Sequence, residues 1–467
     1  MSKLVETPPD PSNEIQMLSR IGYTLESAIS DIIDNSISAN SKSIRIDSFP
    51  SSNEKIFWSI LDDGHGMNPE ELQENMRIGC KDPTKEREKM DLGRFGSGLK
   101  TASISQAKKI TVFSKTANSK LSAARWDVDN VCDKKKWLLE VFLHQEIEKI
   151  LPESLRLKTK SGTCVLWEEI PRYIEKDHTD ISAIQAEDIV RVKKHISKHF
   201  HKFMGGSYKI KFYVNGEKLS PIDPFMTTYD GYNEGPPSEP FRVKGGKVTI
   251  KVHNIPHWNK LNAEQMDKYG GQSEISKKQG LYIYRADRLI IEGGWLGLTN
   301  NSQLGNLSRV EINMPVSMDE EWQTDVKKSS LQLPPKIRIA LRELIKIPIK
   351  KSKGTYKYRG TKEKNNSFWI KVNDERKKII TYEINNENEE LINLVKSLRK
   401  EKKIVSLLSS YLIKLAANLP LNDIYFTMAD KPLDIKQEYL GEKFKNENDL
   451  IEKILKKINK KRNARSK

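Results

Sequence analysis

Residues Leu92–Ser103 read LGRFGSGLKTAS, with glycines at Gly93, Gly96 and Gly98, then Lys100, then small helix-tolerant residues. Glycine at this density lets backbone N–H groups turn inward and approach an anion closely. A helix starting after Gly98 would add free amides and a dipole that favours phosphate. Two familiar phosphate loops fail here. A Walker loop needs an unbroken Gly-Lys-Ser/Thr, and Leu99 separates Gly98 from Lys100-Thr101; a dinucleotide fingerprint needs glycine where Thr101 stands. Alone, the spacing serves a tight structural turn as readily as a phosphate cradle. The residues upstream weigh on that choice.

From Gly22 the pattern is helical, with Leu25, Ala28, Ile29, Ile32 and Ile33 at i, i+3, i+4, i+7 and i+8. Asp31 and Asn35 lie four apart, so both side chains leave the same edge of that helix. A carboxylate and an amide so placed can share a metal ion and a water; two solvated polar residues beside an apolar stripe is the plainer alternative. Ser43–Phe49 alternates as a strand, and Lys55–Leu61 is an apolar strand ending in Asp62-Asp63-Gly64-His65-Gly66-Met67. An acid followed by two glycines can bring a carboxylate edge-on to a planar heterocycle, because the glycines remove side chains that would block the ring. Asn68-Pro69-Glu70-Glu71 reads as a helix N-cap, proline at the first helical position and two acids at the positive end. Residues 77–91 are charged and weakly patterned, as in a lid.

The chain has 467 residues, room for roughly two to four domains. Its three cysteines, Cys80, Cys132 and Cys164, have no metal spacing and suit a reducing compartment without disulfides. There is no 18-residue apolar run and no apolar signal core at the N-terminus, so a cytoplasmic protein with no membrane partner is expected. The net charge of +17, from 80 basic against 63 acidic side chains, favours a polyanionic partner such as nucleic acid, with solubility as the bland alternative.

Residues 1–20 read as an irregular arm. After the glycine loop, Ile110–Ser114, Ser122–Val128, Trp137–Leu143 and Ser161–Leu166 read as antiparallel strands. A second domain is expected to open near Pro171, with a helix over about 185–204 and the hairpin YKIKFYVNGEKL turning at Asn215-Gly216. Further strands fall at Lys247–Val252, Leu281–Arg285, Leu289–Ile291 and Arg309–Asn313. His195, His199 and His201 lack a nearby carboxylate or cysteine companion and are not read as a metal site. Lys327 and Lys328 stand in the polar loop 317–333, and Pro334–Leu344 starts a helix. Beyond about 350 the composition turns to Lys, Glu and Asn, while Ile392–Ala417 stays amphipathic; residues 453–467 hold eight basic side chains and no acidic one.

Four pieces therefore stand in a fixed order: Asp31 to Asn35, Asp62 to Gly66, Gly93 to Gly98, and Gly162-Thr163. The set resembles the GHKL (Bergerat) ATP-binding fold shared by gyrase B, the 90-kDa heat-shock chaperones, histidine kinases and MutL. The GSGLKTAS form, with DDGHGM, is most similar to the MORC ATPases and their prokaryotic relatives. The resemblance implies an α+β protein. It would comprise the arm 1–20, an ATP-binding α/β sandwich over 21–172, a transducer-like α/β domain over 173–350, and a small, basic, partly helical region over 351–467.

The same resemblance implies ATP and Mg²⁺ as cofactors and assigns roles. Asn35 stands where relatives hold the metal, and Asp31 where they carry the glutamate that orients or deprotonates the attacking water. Asp62 matches the acceptor for the adenine amino group, with Gly64, Gly66 and Met67 at the adenine edge and Thr163 reaching the same carboxylate. Gly93, Arg94, Phe95, Gly96, Ser97, Gly98 and Leu99 form the phosphate loop, Lys100 pairs with the phosphates, and Lys328 reaches towards the γ-phosphate. Asp31 is one methylene shorter than glutamate, about 1.5 Å less reach. A closer helix, an intervening water or very slow hydrolysis would each accommodate that. Glu26, about 140° away around the helix, is a poor substitute.

The implied activity is ATP hydrolysis driving an ATP-gated dimer clamp on DNA, in compaction, repair or defence against foreign DNA. A protein-remodelling chaperone and a nucleotide-sensing scaffold with negligible turnover are the alternatives. Implied partners are DNA, a second copy of the chain on ATP binding, and an operon-encoded protein.

Overall fold

The apolar run near residue 60 owes its lack of alternation to burial on both faces. Ser43–Pro50 (β1) and Ile56–Asp62 (β2) pair antiparallel, with Ile44 opposite Asp62. On β2, Ile56, Trp58 and Ile60 enter one core, while Phe57 enters a second core on the other face. Lys109–Lys115 (β3), Ser122–Asp127 (β4), Glu140–Phe142 (β5), Gly162–Glu168 (β6), Lys211–Val214 (β7) and Glu217–Lys218 (β8) complete an eight-stranded sheet in the order β5-β4-β3-β6-β2-β1-β7-β8. All neighbours are antiparallel except β1 and β7.

The structure, a computed structural model, describes residues 4–50, 55–78, 98–174, 180–236, 240–243, 246–301, 305–319, 322, 333–349, 368–374, 379–385, 388–397, 402–419 and 421. The expected lid, all of the glycine loop before Gly98, Lys327, Lys328 and the basic tail lie outside them, apart from Arg77 and Ile78 at the start of the lid.

Helices cover the first core: Pro11–Ser19 (α1), Leu25–Ser38 (α2), Pro69–Met76 (α3), Gly98–Ile104 (α4) and Val128–Lys134 (α5). His144–Ile150 (α6) covers the second through Ile147. The capping pattern at Asn68 forms as read, with Asn68 and Glu71 bonding each other's backbone N–H at 2.9 Å. The reading of 1–20 as irregular needs correcting. Asp10 caps α1, Pro11 opens it, and Ile15 is fully buried in the first core, which fixes this helix on its own chain. Trp137–Leu143 shortens to β5, because Trp137 packs edge-on to Trp126 instead of joining the ladder.

The hairpin at Asn215-Gly216 forms, with both residues at positive φ as a tight two-residue turn requires. It joins the first sheet. Ile181–His199 (α7) and β7 bury Val192, Ile196, Phe212 and Val214 in the first core, and β7 pairs with β1. These apolar side chains, which lie beyond the boundary expected at 172/173, complete the first sheet.

The second sheet holds Asn233–Glu234 (β9), Phe241–Val243 (β10), Gly246–Asn254 (β11), Gly280–Arg285 (β12), Arg288–Glu292 (β13) and Ser308–Met314 (β14). Its order is β10-β11-β14-β12-β13, with β9 on β11. Ala263–Lys268 (α8) and Gly271–Lys277 (α9) lie between β11 and β12 in the chain, and Pro335–Leu344 (α10) packs Ile337 and Leu341 against the sheet. The chain divides into two compact units, Met1–Ser352 and Lys353–Lys467. The second contains an antiparallel pair, Trp369–Asp374 (β15) and Ile379–Ile384 (β16), and the helices Glu389–Ser397 (α11) and Lys402–Ala417 (α12). Among the described residues no helix is long and apolar enough to cross a membrane.

Candidate nucleotide site

The helix α2 organises the site because its apolar stripe packs on the sheet and its polar edge is left facing the loops. Asp31, Asp34 and Ser36 are all buried on it, and Asn35 is half-buried. Asp31 receives the Tyr23 hydroxyl on Oδ2 at 3.0 Å and Arg288 Nη1 on Oδ1 at 3.2 Å. Arg288 also donates to Asp34. Burial alone would lower the affinity of this guanidinium for its proton, but the Asp34 and Asp31 carboxylates outweigh it and raise its pKa.

Gly98 opens α4 beside Asp31. A Cβ built at Gly98 would meet, among the described residues, only Asp31 Oδ2, at 4.0 Å. The first residue of the helix after the glycine loop and the proposed base therefore face each other. Asn35 sits one turn further along α2, and its side-chain amide makes no hydrogen bond among the described residues.

Asp62, at the end of β2, is the second focus. Its carboxylate accepts from Ser36 Oγ at 2.9 Å, Ser41 Oγ at 3.2 Å and the Gly64 amide at 2.9 Å. Burial raises its pKa against those three bonds. Three donors fill three of about four lone-pair positions, which leaves Oδ2 able to take one more N–H. That suits an adenine amino group.

Thr163 lies opposite Asp62 in the β2–β6 register. Its hydroxyl is used differently from the expectation: Oγ1 hydrogen-bonds Ser114 Oγ at 2.9 Å, and Ser114 Oγ also accepts from the Met67 amide at 2.9 Å. Ser36 and Ser41 supply the hydroxyls that Thr163 was expected to supply. The glycines after Asp62 are needed by the protein itself. A Cβ on Gly66, at φ 68°, would fall 1.9 Å from the Lys115 carbonyl oxygen, and one on Gly64 would fall 2.7 Å from Ala39 Cβ. Both glycines let the turn lie flat on neighbouring backbone.

Lys100 departs most from its expected role. It is 2% exposed, and its ammonium donates to the carbonyls of Asn75 at 2.8 Å and Arg77 at 2.6 Å. It holds the C-terminal carbonyls of α3, where a cation is favoured by the helix dipole. Leu99 packs on the first core. Gly93, Arg94, Phe95, Gly96, Ser97 and Lys328 lie outside the described residues. Glu26 is bound by Arg191 at 2.8 Å. His195 and His199 stack at 3.8 Å, with His195 Nε2 3.0 Å from Ser30 Oγ.

Sequence reasoning missed Tyr23, Ser36, Ser41, Ser114 and Arg288. The serines carry no spacing signal. Arg288 had one trace, a basic residue at the head of an apolar strand directly after the Ala286-Asp287 turn, where both residues have positive φ.

The donor set fits a magnesium nucleotide. Hard oxygen ligands suit Mg²⁺, which takes one or two protein oxygens and leaves the rest to phosphate and water. Asn35 can supply such an oxygen, and among the described residues no cluster of three or more His, Cys, Asp or Glu forms a self-sufficient metal cage.

No curated protein matches the chain. Residues 23–163, the stretch from Tyr23 to Thr163, match the family model described as Histidine kinase-, DNA gyrase B-, and HSP90-like ATPase, so this stretch is similar to ATPase domains of that type.

Proposed function

We propose that this protein binds Mg-ATP and hydrolyses it, and that the second sheet senses the nucleotide through Arg288. The observation that carries this reading is the pairing of Arg288, on β13, with Asp31 and Asp34, on α2. Hydrolysis of a phosphoanhydride demands positioning and charge neutralisation above all. Asp62 would orient the adenine, the amides of the glycine loop and of Gly98 would meet the phosphates, and Asn35 would hold the metal. When bound, Mg²⁺ would neutralise phosphate charge. Asp31, beside Gly98, would orient the attacking water. Tyr23 and Arg288 hold its carboxylate in place. A γ-phosphate nearby would compete with Asp31 and Asp34 for the Arg288 guanidinium, which links occupancy to the second sheet.

In this proposal the protein acts as a MORC-like, ATP-gated dimer clamp on DNA in the cytoplasm, in compaction, repair or defence against foreign DNA. The net charge of +17 supports the choice of DNA. Lys328 remains the proposed γ-phosphate lysine. Because α1 is anchored by Ile15, the dimer surface would use other parts of the arm and the lid. A second reading, a nucleotide sensor with negligible turnover, is favoured by the engagement of Asp31 with both Tyr23 and Arg288. Steady-state ATPase measurements with and without duplex DNA separate the cases. Stimulation by DNA supports the clamp, stimulation only by an unfolded protein client supports a chaperone, and tight ATP binding without turnover supports the sensor.

A further inference from the structure

A cavity of about 110 Å³ opens between α7, α9, β13 and β14 and shares no residue with the nucleotide site. Four cations line it, Lys194, Lys198, Lys278 and Arg309, against two carboxylates, Glu274 and Glu292. Glu292 is divided between two of them, Lys198 at 2.7 Å and Lys278 at 3.2 Å. Glu274 pairs with Lys277, outside the lining, at 3.4 Å.

Arg309 is the unusual member. It is 3% exposed and lies over the Tyr282 ring, with its guanidinium carbon 5.2 Å from the ring centroid. Its terminal nitrogens donate only to the backbone carbonyls of Pro224 and Ile275, and its Nε has no hydrogen-bond partner among the described residues. No carboxylate pairs with it among the described residues. A buried guanidinium served only by carbonyls is costly, and an anion beside it would offset that cost. Lys194, exposed at the rim, has no ion pair among the described residues either. Arginine with converging lysines is the donor set that suits phosphate oxygens.

We infer that this cavity binds the phosphate group of a small ligand, free or esterified. The volume takes one such group with a little water, at about 30 Å³ per water molecule. Occupancy would satisfy Arg309 and leave Glu292 with its two lysines.

Calorimetric titration of the full chain with inorganic phosphate, and separately with glycerol phosphate, tests the inference. Saturable one-site binding is expected, with the tighter of the two probes showing whether the free or the esterified anion is preferred. The double variant Lys194→Glu/Lys278→Gln, checked for folding by circular dichroism, should weaken binding by about tenfold or more, as expected when two charge-assisted contacts are removed. Asn35→Ala should leave it unchanged. Absence of saturable binding to either probe overturns the inference. So does binding that survives the double variant, or binding lost in Asn35→Ala, which would place the anion in the nucleotide site.

Discussion

Arg288 and Asp31 are 257 residues apart in the chain and joined by a buried ion pair, with Nη1 3.2 Å from Oδ1 and both side chains no more than 6% exposed. Asp34 shares the same guanidinium. Two carboxylates share one buried cation, so removing Arg288 takes a positive charge from both, whereas removing one carboxylate leaves the cation paired with the other.

Arg288→Met should therefore destabilise the protein by about 3–5 kcal/mol, because it takes a shared counter-charge away from two buried carboxylates. Combining it with Asp34→Asn should recover part of that loss. Urea unfolding of the single and double variants measures both. A loss well under 1 kcal/mol in Arg288→Met would mean that the pair is not formed in solution.

Asp31→Asn keeps the shape and removes the charge, so nucleotide binding should persist while turnover drops about 10²–10⁴-fold. Asn35→Ala should abolish Mg²⁺-dependent ATP binding. Fluorescent-nucleotide titration and steady-state kinetics check the two variants side by side. Parental turnover in Asp31→Asn would remove it from the chemistry and favour a role confined to holding Arg288.

Lys100→Met separates a structural lysine from a phosphate lysine. With its ammonium on the carbonyls of Asn75 and Arg77, the variant should lose about 1–3 kcal/mol of stability through unsatisfied acceptors. ADP affinity of the folded fraction should change little. Unaltered stability with a large loss of ADP affinity would return Lys100 to the phosphate loop.

His199, the last residue of α7, and His201, just beyond it, set an acid sensitivity. Burial, opposed by Glu292 and by the bond to the His195 carbonyl and assisted by Arg288 and Lys198, lowers the His199 pKa to about 4. Burial lowers His201 to about 4 as well. In the unfolded chain these rings titrate near pH 6.5, so between about 6.5 and 4 the unfolded state binds more protons and stability falls as pH falls. The stability carried by His199 should be complete above pH 6.5 and lost by about pH 4. His199→Asn should flatten unfolding free energy against pH across that window; an unchanged slope would show that His199 does not contribute to it.

The sequence by itself determined the parts whose causes are local. The spacing of Leu25, Ala28, Ile29, Ile32 and Ile33 is enough for α2, the Asn68-to-Glu71 capping box for the start of α3, and Asn215-Gly216 for the β7–β8 turn. The order of Asp31, Asn35, Asp62 and Thr163 was legible too, because strand ends and helix edges carry a readable period. Only the tertiary structure decided which surfaces meet. It joined β7 to β1, turned Lys100 onto the carbonyls closing α3, gave Asp62 the hydroxyls of Ser36 and Ser41, and brought Arg288 to α2. The physical reason is that a buried charge selects its partner by the depth and geometry of the packed interior, and neither leaves a period in the chain.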